Sequence, residues 1–213
     1  MNSLAKVLLM SPTYTIPFFA VALSFSSIAS AALYVTSYDA DYNILVASIG
    51  CTSYTETFGA TPTGFLPSGY SSSTGPVNWS ATATGGLFVQ AGLFSTYSAG
   101  QALTFDFSAP GLSIQAVGGN FFATDINFNV VPAIVAVLLD DGTSYVSVMT
   151  SASSFVGFVS TGAAISSISL SLPVSADLFP TVDRMLFGVV PAPGAIALLG
   201  LAGFVGRRRR DNA

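Results

Sequence analysis

The 213-residue chain has no histidine, one cysteine and one lysine, Lys6. Without histidine there is no Ser-His-Asp or Cys-His catalysis and no ordinary histidine zinc site. A single cysteine excludes a disulfide within the chain. A chain that loses its N-terminus with Lys6 also has no Ser-Lys pair and no Schiff-base lysine. The remaining enzymatic option is a carboxylate pair, as in glycoside hydrolysis, with the candidates Glu56, Asp106, Asp125, Asp140, Asp141 and Asp183.

Cationic residues are scarce in the middle of the chain. Between Ala32 and Val190 there are eight aspartates, one glutamate and one arginine, Arg184, so the net charge is 1 − 9 = −8. We therefore expect no nucleic-acid partner, because such binding depends on neutralising phosphates. The segment has about 160 residues, which suffices for one domain with its own core. Its aromatic and β-branched residues argue against disorder.

The N-terminus has the pattern of a secretory signal peptide. Lys6 is the only charge before Asp39, and an apolar stretch runs from about Ile16 to Ile28. Ala29-Ser30-Ala31 then has the small-x-small form that signal peptidase cleaves. We predict a signal peptide over residues 1–31 with cleavage after Ala31, cleavage after Ala32 being the second choice. An uncleaved first transmembrane helix is the alternative.

The C-terminus combines prolines, an apolar span and a basic cluster. Residues 189–206 are eighteen residues without a charge, close to the ~20 that a bilayer core needs. Pro193 suits the first position of a helix, so we predict an apolar transmembrane helix over about 193–206. The basic cluster that follows, which should stay cytoplasmic, is Arg207, Arg208, Arg209 and Arg210.

This tail, residues 189–213, resembles the PEP-CTERM sorting domain, which is also called the ice-binding protein C-terminal domain. The resemblance rests on the apolar helix, the arginine cluster and the motif Val190, Pro191, Ala192 and Pro193, in which Ala192 stands where the family usually has glutamate. It implies export, processing by signal peptidase and an exosortase-type protease, and association with exopolysaccharide. The precursor would be tethered in the inner membrane before it reaches the cell surface or matrix. Whether Ala192 in place of glutamate abolishes processing is left open.

The body of the chain has the two-residue alternation of β-strands. Leu103, Phe105 and Phe107 alternate with polar residues, which gives one apolar and one polar face. The predicted strands are 87–91, 103–107, 113–117, 121–124, 134–139, 145–149, 155–159, 168–172 and 184–189, with a hairpin turn at Asp140-Asp141-Gly142. Strands at this spacing predict an all-β, antiparallel jelly-roll-like sandwich over residues 32–188. We expect no helix there, Asp39–Asn43 on an exposed strand or loop, and a long loop over Thr61–Pro76.

Residues 100–188 are also similar to the exterior domain that often accompanies these tails. The similarity is carried by Ala102–Phe107, Ala116–Phe122, Asp141–Thr143, Phe155–Phe158 and Val182–Gly188. It implies a jelly-roll-like sandwich resembling carbohydrate-binding modules. No defined activity comes with it.

Two kinds of binding residue are candidates in this domain. Trp79, Tyr70, Tyr97 and Tyr54 could stack on sugar rings, with core or edge packing as the alternative. Glu56 and Asp183 could hold a structural calcium, whose ligands are oxygens, although Asp183 in a turn before the last strand is the simpler interpretation. We expect no other cofactor.

The leading functional hypothesis is a non-catalytic, exported cell-surface or extracellular-matrix protein. The alternative is a carbohydrate-binding module, and the remote alternative is a carboxylate-dependent glycan hydrolase. The hypotheses differ in whether aromatic side chains or paired carboxylates are exposed together.

Overall fold

A computed structural model of the protein describes residues 32–192. This part of the chain is an all-β fold with one helix. Its elements are β1 (Leu33–Thr36), α1 (Asp39–Ser48), β2 (Thr52–Glu56), β3 (Gly64–Leu66), β4 (Tyr70–Thr74), β5 (Val77–Ala83), β6 (Leu87–Gln90), β7 (Leu93–Thr96), β8 (Leu103–Ser108), β9 (Leu112–Thr124), β10 (Val130–Val131), β11 (Ala133–Leu139), β12 (Ser144–Met149), β13 (Phe155–Ser160), β14 (Ser167–Ser171) and β15 (Phe179–Pro191).

The strands form two antiparallel sheets, which confirms the all-β sandwich prediction. The first, sheet A, has the order β1-β13-β9-β15-β7-β6-β3, with β10 on β9 and β2 on β15. The second, sheet B, has the order β12-β11-β14-β8-β5-β4. Their inner faces share one apolar core, in which Phe94 of sheet A lies 5.7 Å from Phe105 of sheet B between ring centroids. Burying each such side chain contributes about 1.5–3 kcal/mol.

The strand predictions are confirmed where alternation is strict. Phe105 and its apolar neighbours in β8 are buried, while Asp106 and Ser108 are exposed. The predicted hairpin joins β11 to β12, and Gly142 takes a φ of +86° in its turn. The predicted strands 113–117 and 121–124 are instead one strand, β9, because Gly118 and Gly119 continue the ladder rather than breaking it.

The prediction of a long loop over Thr61–Pro76 is wrong. This segment contains β3, which pairs with β6, and β4, which pairs with β5. Both are edge strands, β3 with only three residues and β4 with Tyr70 followed by serines and a threonine, so their pairing is dictated by the neighbouring strand rather than by their own burial. The abundance of Gly, Pro and Ser in this segment therefore led to a loop prediction where two strands exist.

The expectation of no helix is also wrong, because Asp39–Asn43 begins α1. Only Tyr42 and Val46 of this helix are buried, so its apolar stripe is too narrow to give a clear helical period. Asp39 and Asp41 lie in the first turn of the helix, where their negative charges interact favourably with the positive end of the helix dipole. Asp39 also forms a salt bridge of 2.8 Å with Arg184 of β15.

The helix packs on the outer face of sheet A because glycines leave room for it. A Cβ built on Gly157 of β13 would overlap the Tyr42 ring, and one on Gly188 of β15 would lie 3.3 Å from the Val46 side chain. Tyr42 is fully buried there and packs edge-on against Phe155, with ring centroids 5.5 Å apart. The result is a small second core, separate from the one between the sheets.

β15 and β9, with thirteen residues each, are the longest strands of sheet A and pair along almost their whole length. The register shifts between Val182 and Arg184, so Asp183 is the extra residue of a bulge. On its other edge β15 pairs with β7 before the bulge and with β2 after it. The strand continues through Val190 to Pro191, past the predicted domain boundary at residue 188, which stays a prediction.

Several predicted features lie outside the described residues. They are the signal peptide with Ala29 and Ala31, Pro193, the apolar helix over 193–206 and the cluster Arg207–Arg210. Within residues 32–192, no helix has the length and apolar character needed to cross a membrane.

Candidate binding site

Trp79, predicted first among the sugar-stacking residues, is part of the core. Only 3% of it is exposed. Its ring lies 5.5 Å from that of Phe58 and 5.7 Å from that of Tyr70, between centroids. The prediction is wrong for Trp79, because β5 turns its apolar face inward and the side chain is buried. Tyr70 and Tyr54 are partly buried against the same core.

Glu56, one of the two predicted calcium ligands, is occupied by hydrogen bonds from protein donors. Its Oε1 accepts from the backbone N–H of Phe58 at 2.7 Å. Its Oε2 accepts from the Thr74 hydroxyl and from Trp79 Nε1, the latter at 3.2 Å. Across residues 32–192 there is no cluster of three or more His, Cys, Asp or Glu side chains suited to a metal. Calcium binding at this site stays a prediction.

Asp183, the other predicted calcium ligand, lies in the bulge of β15. Its Oδ1 is buried without a hydrogen-bond partner. Burial raises the pKa of this carboxyl, while the Asn120 side chain and the Arg184 charge act in the opposite direction. Arg184 itself donates from Nη2 to Asn120 Oδ1 at 3.2 Å. These contacts give Asp183 and Arg184 a structural setting beneath α1.

Of the other carboxylates considered for catalysis, Asp140 and Asp141 are neighbours that line one pocket, and each accepts hydrogen bonds from protein groups. Asp140 accepts hydrogen bonds from the backbone N–H of Ser166, at 2.9 Å, and from its hydroxyl. Asp141 accepts from the backbone N–H of Thr143 in the hairpin turn. Asp106 is exposed on the outer face of sheet B. This face is rich in hydroxyls, as the alternation in β8 and β14 predicted, and the Thr104 and Ser169 hydroxyls are 3.1 Å apart.

Tyr97 is the one predicted stacking residue that is exposed, at 52%. It belongs to a series of four aromatic rings on sheet A, which we call the aromatic row: Phe65, Tyr97, Phe88 and Phe128. Successive ring centroids are 4.2, 6.5 and 5.7 Å apart. Phe65 is 47% exposed, so the row is open to solvent at the end formed by Phe65 and Tyr97.

The strand register places the aromatic row on the outer face of sheet A. Phe65 of β3 is opposite Phe88 of β6, and Phe88 is opposite Ser95 of β7. The residues between them, such as Leu87 and Phe94, point into the core. The backbone N–H of Tyr97 donates to Gly86 O at 3.0 Å, which fixes the ring beyond the end of β7. Strands thus hold two of the four rings, Phe65 and Phe88, and Tyr97 follows directly after β7.

A cavity of about 120 Å³ lies beside this row, and we call it the Tyr97 cleft. Its lining comprises Phe88, Ser95, Thr96, Tyr97, Thr124, Asp125, Ile126, Phe128 and Phe179. The hydroxyls at its base are buried and joined to each other. Thr181 Oγ1 lies 2.9 Å from Thr124 Oγ1 and donates to Ser95 Oγ at 3.1 Å. The base is therefore fixed, and ligand contacts must come from the walls and the rim.

The loop from Asp125 to Asn129 forms one wall of the cleft. Asp125 Oδ1 accepts from the backbone N–H groups of Asn127 and Asn129 at 2.8 and 2.9 Å. Its Oδ2 accepts from Asn129 Nδ2 at 2.9 Å. These bonds lower the pKa of Asp125, the Asn129 side chain having the largest effect. The carboxylate therefore stays ionised near neutral pH.

The same loop holds Phe128 in a strained backbone conformation. Its φ is +63°, in the left-handed region where a bulky residue costs on the order of 1–3 kcal/mol. The backbone N–H of Phe128 donates to Asp125 O at 3.1 Å, which keeps the turn closed. The strain brings the ring to Phe88 and completes the aromatic row. Strained residues of this kind concentrate at ligand sites.

Sequence reasoning found Tyr97 but missed Phe65, Phe88 and Phe128. A signal for Phe88 was present, since it alternates with Leu87 and Val89, which are core residues of the predicted strand. An aromatic residue at the outward position of a strand is a candidate for a surface contact. Phe65 was hidden in the supposed loop, and nothing in the sequence places Phe128 beside Phe88.

Comparison with known proteins adds little to this picture. No protein-family model matches the chain, and no curated protein matches it. Among solved structures, it is similar to "CBM35 from Cellvibrio japonicus Abf62", with a TM-score of 0.33, 13% identity, and coverage of 65% of this chain and 93% of that one. It is also similar to the exo-beta-1,3-galactanase Pc1,3Gal43A from Phanerochaete chrysosporium with galactose, with a TM-score of 0.32, 13% identity, and coverage of 56% and 29%. Likenesses this weak carry no argument about a ligand.

Proposed function

We propose that this chain is an exported, non-catalytic surface or extracellular-matrix protein whose jelly-roll-like sandwich binds exopolysaccharide through the Tyr97 cleft. The observation that carries the binding part is the aromatic row, which exposes Phe65 and Tyr97 beside a cavity. Aromatic rings offer apolar area at fixed geometry, and the apolar faces of sugar rings fit such a surface. The sorting part is supported by the tail resemblance.

The hydrolase hypothesis has no comparable support. Glu56, Asp140 and Asp141 are each engaged in hydrogen bonds that hold local structure. Asp125 lines the cleft, but it organises its own loop. A glycan held against the aromatic row would therefore be bound and not cleaved.

Binding is tested by polysaccharide pull-down and by titration with defined oligosaccharides. Tyr97→Ala should weaken binding about tenfold, since an aromatic contact contributes up to about 1.5 kcal/mol. Tyr34→Ala is the matched control, because Tyr34 is 47% exposed on β1 and outside the row. Equal losses in both variants, or no binding to any polymer, would refute the glycan role.

Sorting is tested by mass spectrometry of both ends of the protein recovered from cells. We expect a mature N-terminus at Ala32 and a C-terminus near Pro193. Ala32 N donates to Thr161 Oγ1 at 3.0 Å at the start of β1, and cleavage after Ala31 keeps this donor. Recovery of the intact 213-residue chain from the cytosol would refute export.

A further inference from the structure

The electrostatic setting of the cleft restricts which glycans suit it. Arg184 is the one cationic side chain in the sequence between residues 32 and 192. It is already bound to Asp39 at 2.8 Å. The net charge of −8 between Ala32 and Val190 repels anionic polymers and attracts cationic ones. Among the residues 32–192 that line the cleft, an acidic polysaccharide would find no arginine or lysine to pair with.

Asp125 is the only charged side chain that lines the cleft. A carboxylate has roughly four acceptor positions, and loop donors occupy three of them: two on Oδ1 and one on Oδ2. One position on Oδ2 is left for a donor from outside. A fixed, ionised acceptor at the rim of an apolar cavity suits a ligand with a positive charge.

The aromatic walls favour the same kind of ligand. Phe88, Tyr97 and Phe128 bring three ring systems to one cavity. A cation within about 6 Å of an aromatic face gains roughly 0.5–1 kcal/mol at an exposed site. A ring with an ammonium group can thus meet an apolar wall and a carboxylate together.

The size of the cleft points to a single sugar unit. Pockets for drug-sized ligands measure about 300–1,000 Å³, and the cleft measures about 120 Å³. We infer that the cleft binds one amino-sugar unit of a polysaccharide, with its ring against the aromatic row and its free ammonium group at Asp125. This inference rests on the proposed glycan binding and specifies its ligand class.

The test compares three probes of matched length on the purified protein as exported: glucosamine oligomers, N-acetylglucosamine oligomers and uronic-acid oligomers. The glucosamine form should bind about three- to tenfold more tightly than the acetylated form, and the uronic-acid form most weakly. The advantage should shrink as salt rises, because the pair is exposed. It should also disappear when the pH is raised until the amine is neutral.

Two variants locate the amine. Asp125→Asn removes the charge and keeps an Oδ1 acceptor for the loop, so it should abolish the advantage of the glucosamine form. Asp141→Asn is the matched control, because it removes one charge from a turn carboxylate in sheet B. It should leave the advantage intact. An advantage that survives Asp125→Asn would overturn the assignment of the amine to this loop.

The outcomes separate the two proposals. Equal binding of the glucosamine and acetylated forms, lost in Tyr97→Ala, would overturn the amino-sugar inference and leave the glycan role standing. Binding to none of the probes or polymers would overturn both. The pH titration uses the unaltered protein, so it decides the matter even if Asp125→Asn loosens the loop.

Discussion

Glu56 holds together three parts of the fold, and its removal should weaken them jointly. It lies at the end of β2, and its carboxylate accepts from the Phe58 backbone, the Thr74 hydroxyl and the Trp79 indole. Phe58 has a φ of +55°, so its backbone conformation depends on this anchor. Glu56→Ala removes all three acceptor interactions in a single step.

The cost can be worked out from these contacts. Trp79 Nε1 keeps a second acceptor, Thr74 Oγ1, at 3.3 Å, so its N–H is not left alone. The Phe58 N–H and the Thr74 hydroxyl lose theirs, and a buried donor without an acceptor costs about 1–3 kcal/mol. We therefore expect Glu56→Ala to lower the free energy of unfolding by about 2–4 kcal/mol. Glu56→Gln keeps the oxygen that faces Phe58, so it should cost about half as much.

The assay uses the single tryptophan of the chain, Trp79. Its fluorescence during denaturant unfolding reports the stability and the environment of this network together. The emission of the folded Glu56→Ala variant should shift to longer wavelength, because water gains access to the indole. Thr55→Ala, at an exposed position on β2, is the control. A Glu56→Ala variant within about 0.5 kcal/mol of wild type, the range of ordinary surface changes, would refute this reasoning.

Three further predictions concern the outer face of sheet A. Gly157→Ala should lower the free energy of unfolding by about 1–3 kcal/mol through overlap with Tyr42. Gly59→Ala, whose added Cβ would meet only Thr57 Oγ1 at 3.8 Å, should be near neutral in the same denaturation assay. Asp183→Asn should stabilise the protein near neutral pH. The pKa of Asp183 is raised in the native protein. The protonated carboxyl therefore contributes stability below the ordinary pKa of an aspartate, and this contribution is lost as the pH rises through the native pKa. The gain measured by denaturation should therefore vanish in acid, and a pH-independent gain would contradict the assignment. Burial raises the pKa of Cys51 to about 11, so its alkylation near neutral pH should be much slower in the folded than in the unfolded protein, and equal rates would contradict this.

The sequence was sufficient to predict the strands that bury one face and expose the other. β8 and β14 alternate strictly, and the Asp-Gly turn set the β11–β12 hairpin. The predictions failed for the elements whose secondary structure is determined by the neighbouring strands. β3 is only three residues long, β4 is mostly serine, and both pair along sheet edges, while α1 buries only Tyr42 and Val46.

The candidate site was predicted in one residue of four. Tyr97 was named because tyrosines can stack on sugar rings, with core or edge packing as the alternative. The other three rings depend on pairing between β3, β6 and β7 and on a turn that forces Phe128 to a positive φ. Trp79 was misassigned because an aromatic residue beside Gly, Pro and Ser looks exposed, whereas its neighbours in β5 alternate with it into the core.

The course of β15 has a mechanical consequence for a tethered protein. Phe179, at its first residue, lines the Tyr97 cleft, and Pro191, at its last, belongs to the sorting motif of the proposed tail. Thirteen residues of extended chain reach about 43 Å. A pull between bound polymer and membrane would run along this strand and load its hydrogen bonds to β9 in shear, all at once, instead of opening them one by one.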